Sequence, residues 1–268
     1  MDELLIRFFS TQWHVFLIAL VVPLMCAEVG YRLGRRSRPK LETGQKSQVG
    51  AVEAALLGLL ALLLGFTFSM AVQRFEARRA LVLEEANAIG TTYLRAAFLP
   101  DAQRKTTEDL LRRYVDTRLE VGSASSTSDE FRRAEELTSD IQTQLWKSAE
   151  SAAAERPSPL VVAYVNSLNQ TIDLDASRAA AKRNHVPGAV WLLVLTVAGC
   201  SSGVCGYAGG AAGDRLVLAQ FILPVMIAIV ITILVDLDSP TRGFIGTNQQ
   251  SLIDLKELLA KPQTANGR

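Results

Sequence analysis

Residue types able to do chemistry are sparse in this chain and sit near the borders of apolar runs. The only histidines are His14 and His185, and the cysteines are Cys26, Cys200 and Cys205. No CxxC, HExxH or phosphate-cradling glycine loop occurs, and neither histidine lies near a cysteine or serine nucleophile pattern. The chain therefore does not read as an enzyme, and no cofactor or metal is expected. The cysteines lie inside apolar stretches and read as small buried hydrophobes. What remains is charge at apolar borders. Arg74, Arg78 and Arg79 follow one such run, with Glu84 and Glu85 one to two turns later, and Asp236 and Asp238 close another. Arginines in that position bind lipid headgroups, pair with acids or present positive charge to anions. Two acids just past an apolar core are costly unless paired, so pairing with these arginines is expected, with a cation site as the sharper alternative. Glu84 and Glu85 are expected to form i,i+4-type pairs on a solvated helix face, and Asn87 to bond across helices inside a bundle. Glu53 sits near an apolar border, as an interfacial or an entrance charge.

The elements that must position these groups are membrane helices. Of the 268 residues 49% are hydrophobic, yet 21% are charged, so the apolar residues must be concentrated. The net charge of +1 gives no basic field for nucleic acid. Segments at about 12–31, 54–72, 186–213 and 216–235 are long and apolar enough to span a bilayer, where only helices satisfy their own backbone. The first opens after Asp2 and Glu3 rather than a basic run, and reads as an anchor, not a cleaved signal. Gly206, Gly209, Gly210 and Gly213, with Asp214 and Arg215, read as the tight turn between the last two spans. Gly199 and Gly203 form a GxxxG that serves packing within one subunit or an oligomer seam.

Residues 73–186 read as a charged, helical extramembrane region between spans 1–72 and 187–238, with 239–268 as a tail. Pro100 breaks the first helix, and Asp101 is a candidate cap for the next. Leu110, Leu111, Tyr114, Val115, Arg118 and Leu119 repeat at helical spacing. Residues 122–128 read as a turn, Ser128 caps a helix reaching about Glu155, and Ser158 followed by Pro159 starts another towards Arg183. The expected fold is all-α, two membrane hairpins joined through this helical region. Loop Lys and Arg counts nearly balance. Arg32, Arg35, Arg36, Arg38, Lys40 and Lys46 stand against Arg7, Arg74, Arg78, Arg79, Arg178, Lys182, Arg183 and Arg242, so charge leaves orientation open.

The run Leu64-Gly65-Phe66, then Arg74-Phe75-Glu76-Ala77-Arg78-Arg79, resembles the second-helix signature of bestrophins. Over residues 50–255 the chain more closely resembles the bacterial bestrophin-like domain membrane proteins. It carries their Gly65 to Ser69 run, their Glu85 to Asn87 run and a late Leu237-Asp238-Ser239-Pro240-Thr241-Arg242-Gly243 element. The resemblance implies a bacterial inner-membrane ion channel, pentameric, in contact with lipid and inorganic ions, with its middle region cytosolic and its second helices around a central axis. It places Phe66 innermost in a narrow neck, Leu62 next and Gly58 outermost, where the bulky pattern is broken. The bestrophin calcium clasp, a dense acidic run after the fourth span, is absent. From the residues alone, Ala55, Leu59, Leu62, Phe66, Met70 and Gln73 share one helical stripe. A ring of such stripes forms a constriction that gates by dewetting. A non-conducting oligomeric scaffold or sensor is the rival reading.

Overall fold

The computed structural model describes residues 13–38, 43–124, 128–213, 217–239 and 248–261. Among these residues every long element is helical. In chain order they are α1 (Trp13–Ser37), α2 (Thr43–Arg95), α3 (Asp101–Ser123), α4 (Asp129–Glu155), α5 (Pro159–Arg183), α6 (Gly188–Ala212), α7 (Val217–Asp238) and α8 (Gln250–Ala260). Four of the helices have stretches long and apolar enough to cross a membrane, in α1, α2, α6 and α7. The chain divides into two compact units, 1–75 with 185–245, and 76–184 with 246–268. The 53-residue α2 contributes its first part to one unit and its second to the other.

In the membrane unit, Leu60 of α2 is buried with Ala19 of α1, Val194 and Ala198 of α6, and Ala228 and Ile231 of α7. The pair α1 and α6 runs parallel with the backbones almost touching. A Cβ added at Gly30 would run into the Gly203 carbonyl, one at Gly206 into that of Ala27, and one at Gly210 into that of Tyr31. Gly206, Gly209 and Gly210 are therefore not turn residues; they lie inside α6, and Gly206 and Gly210 admit α1. Only Gly213 ends the helix, in the left-handed region at φ 89°, while Asp214 and Arg215 lie outside the described residues. Gly199 and Gly203 also face α1, at Cys26, so this GxxxG packs within the subunit. The thiols are all free, and Cys200 is exposed, which corrects the expectation that all three are buried.

The second unit is a helical bundle around Ile89, Leu111, Tyr114, Ile141, Leu145 and Leu168, all essentially inaccessible. Its helix starts follow local chemistry. The Ser128 hydroxyl accepts from the Phe131 N–H at 3.1 Å, and that of Ser158 from the Val161 N–H at 3.3 Å. At α3 the start lies one residue earlier than expected. Pro100 takes the cap position and Asp101 is the first helical residue, where its charge meets the positive end of the helix dipole. The α3 helix runs on through Gly122 to Ser123, and Ser125 to Thr127 of the expected turn lie outside the described residues. Residues 250–260, expected as part of a tail, form α8, which buries Leu252 and Leu259 in this core. Arg112 Nε donates to the Leu259 carbonyl at 3.2 Å, and Lys256 pairs with Asp116 at 2.8 Å. Gly90 lies inside α2 and leaves room for Leu255, whose Cδ1 would sit 3.3 Å from an added Cβ.

Candidate pore edge and buried charge network

Within the membrane unit only a narrow strip of α2 is packed. Leu60, Thr67 and Ala71 are buried, and the Thr67 hydroxyl donates to the Leu63 carbonyl at 2.7 Å, so its polarity is met inside the helix. The other side carries Leu59, Leu62 and Phe66, exposed by 44%, 53% and 63%. Ala55 and Gln73 are exposed on the same stripe and Met70 is half-buried. Nothing lies within 4 Å of a Cβ built at Gly58 or Gly65. At the end of this stretch the Arg74 guanidinium approaches Met70 Sδ at 4.0 Å, and the Gln73 amide reaches Ser69 Oγ at 3.5 Å. Glu53 points away from this edge, with its carboxylate beside the Cys205 thiol of α6.

The border charges separate into different settings. Arg79 and Glu84 are exposed, Arg74 is half-buried, and Arg78, Asp236 and Asp238 are buried. Both carboxylate oxygens of Asp238 accept from the Val186 N–H, at 3.1 and 3.0 Å, which fixes the entry to α6 against the end of α7. His185 Nδ1 lies 3.2 Å from the Asp238 carbonyl oxygen. Pro240 to Gly243 of the late sequence element lie outside the described residues. Among the described residues no three His, Cys, Asp or Glu side chains converge as metal ligands.

Glu85 departs most from its expectation. It is 0% exposed, not on a solvated face. It accepts from Arg118 Nε of α3 at 2.7 Å and from Arg178 of α5. Arg118 also reaches Asp175 at 2.6 Å, and the Gln142 amide donates to Asp175 at 2.8 Å and to the Tyr114 hydroxyl at 3.2 Å. Burial works against the charge on Arg118, but Glu85, Tyr114 and Asp175 outweigh it and raise its pKa above the ordinary value. Asn87, expected inside the bundle, is exposed.

Lys182 completes this region from the last turn of α5. Its ammonium donates to the Val121 carbonyl at 3.1 Å and lies 5.1 Å from the Phe131 ring centroid. Burial, then Arg178 and Arg118, push its pKa down from 10.5 to about 8, with Glu135 and Glu85 opposing. A folded pKa below the unfolded value means the unfolded chain holds more protons between those limits. The burial penalty is thus complete below about pH 8, and stability rises with pH from there towards 10.5. Lys182→Met should remove that slope. Its gain over wild type, on the order of 2 kcal/mol near neutral pH, should shrink by pH 10.5 in circular-dichroism melts. A pH-independent difference would contradict this account.

Arg178, Asp175, Gln142 and Lys182 were not singled out as site residues by sequence. One signal was present: Arg118 occupies an apolar stripe with Leu111, Tyr114 and Val115, and a charge at a core position requires a buried partner.

Four apolar spans, a charged helical bundle and a second helix largely uncovered within its own unit define a multi-pass helical membrane protein of bestrophin type. The chain belongs to the bestrophin-like domain family, which it matches over residues 18–252. It is similar in fold to a mutated bacterial bestrophin homologue from Klebsiella pneumoniae, at TM-score 0.63 and 16% identity, covering 91% of this chain and 97% of that one. A further Klebsiella pneumoniae bestrophin homologue structure aligns at TM-score 0.60 and 16% identity, over 88% and 98% of the two chains. A mutated membrane protein aligns at TM-score 0.64 and 16% identity, over 90% and 97%. No curated protein matches the chain.

Proposed function

We propose that this protein is an ion-conducting channel of the bacterial inner membrane, assembled as a homo-oligomer, a pentamer by analogy with bestrophins, with α2 of each copy around a shared axis. Leu62 and Phe66 form the hydrophobic neck, Leu59 and Met70 flank it, and Gln73 and Arg74 lie where the neck meets water. The charged helical unit lies in the cytosol. The observation that supports this most is the edge of α2. Leu59, Leu62 and Phe66 are large apolar residues that no helix of their own membrane unit covers, while Leu60, Thr67 and Ala71 of the same helix are packed; Val52 and Phe68 are uncovered as well. Apolar constrictions close by dewetting, so smaller side chains there lower the barrier to water and ions. In planar-bilayer recordings of purified protein, Phe66→Ala and Leu62→Ala should each raise the current several-fold over wild type. Unchanged currents in both variants would remove the neck. A silent wild type and silent variants, with the oligomer intact, would favour a scaffold.

A further inference from the structure

The parallel pair α1 and α6 leaves a crevice on its outer side that neither the fold nor the neck accounts for. It measures about 600 Å³ and is lined chiefly by Met25, Val29 and Leu33 of α1 and Cys200, Val204 and Tyr207 of α6. It exists because small residues set its floor. Gly30 and Gly203 bring the two backbones together, so the larger side chains on either flank stand as walls. Met25, Val29 and Leu33 are exposed by 63%, 55% and 50%, and they follow one another at i,i+4 spacing. From Met25 to Leu33 the groove runs about 12 Å along a spanning helix. Both helices are long and apolar enough to cross a membrane, and a groove with this apolar lining suits an acyl chain better than water.

One end is strongly charged. Arg36 continues this face three residues past Leu33, Arg32 stands just before Leu33 on its flank, and Arg35 lies further round the helix; all three are exposed. Arg32 pairs with Glu28 at 2.7 Å, which leaves Arg35 and Arg36 to carry the net positive charge at this end of α1. Arg38 joins from the next turn, with its guanidinium lying against Gly213 at the end of α6. An apolar slot inside the bilayer that opens onto clustered guanidiniums matches a phospholipid: one acyl chain in the slot, and a phosphate with net negative charge at the arginines.

We propose that the α1/α6 crevice is a binding site for an anionic phospholipid, retained by shape along Met25, Val29 and Leu33 and selected by the arginines at the end of α1. The site is independent of conduction and would operate in a scaffold equally. Protein purified in mild detergent from membranes of mixed phosphatidylglycerol and phosphatidylethanolamine tests it, by mass spectrometry of the retained lipid. Wild type should carry phosphatidylglycerol enriched several-fold over the membrane. Leu33→Trp fills the slot without moving a backbone, and should lose most of the retained lipid while keeping its circular-dichroism melt. Arg35→Gln/Arg36→Gln should still retain lipid, at the headgroup ratio of the membrane. The proposal is overturned if wild-type lipid mirrors the bulk composition, or if Leu33→Trp retains as much phosphatidylglycerol as wild type.

Discussion

Glu85→Ala should destabilise the helical unit by about 3–5 kcal/mol, because it strands two buried guanidiniums. Glu85 is inaccessible, and Arg118 and Arg178, exposed by 3% and 6%, both donate to it. Arg118 retains Asp175 after the substitution; no second acid pairs with Arg178 among the ion pairs of the described residues. Burying a charge without its partner is among the few single changes that cost this much. Glu85→Gln keeps the volume and one acceptor oxygen, and should lose less. The chain divides into two compact units, so the readout is the melt of the helical signal in detergent together with protease sensitivity of the 76–184 region. A melt for Glu85→Ala within a degree or so of wild type would contradict the network. Glu85→Leu combined with Arg118→Met and Arg178→Met should recover part of the loss, since a matched apolar replacement leaves no orphan charge in the pair, although Asp175 then loses Arg118.

The second large effect belongs to one methyl group. Gly30→Ala places a Cβ on the Gly203 carbonyl, and the clashing atom is backbone, so no side-chain rotation relieves it. The helices must separate, and the contacts along Ala27/Gly206 and Tyr31/Gly210 separate with them. A cost of about 3 kcal/mol is expected from overpacking of this kind. Gly50→Ala is the matched control. It makes the same chemical change inside α2, where nothing lies within 4 Å, and should gain up to about 1 kcal/mol of helix stability. Detergent-extracted yield and thermal aggregation of the two variants should move in opposite directions. Equal behaviour would mean that α1 and α6 are not packed backbone to backbone.

These two sites also mark where reading from sequence reaches its limit. Local signals were legible. Long apolar runs give spans in α1, α2, α6 and α7, and Ser128 and Ser158 announce helix starts, because a cap or a span is decided within a few residues of itself. Partnership is decided at long range. Gly206 and Gly210 have the composition of a turn, and only the position of α1 shows them as a helix contact. Glu85 has the spacing of a surface acid, and its partners lie 33 and 93 residues away. The same holds for α8. Its Leu252, Leu255 and Leu259 carry a weak helical stripe in a polar stretch, and the core it completes is made by α2, α3, α4 and α5. At the candidate neck the sequence supplied the residues, and the structure adds that Leu59, Leu62 and Phe66 are left uncovered in their own unit.

In the proposed channel Leu62 faces its counterpart in another copy. With Cys26, Cys200 and Cys205 replaced by serine, Leu62→Cys in native membranes should give covalently linked chains on treatment with a short bis-maleimide, which alkylates one thiol at each end. Phe68→Cys, exposed by 50% but roughly 200° round the helix from Phe66, should stay monomeric. Efficient linkage at position 68 with none at position 62 would turn the edge towards lipid and remove the proposed pore.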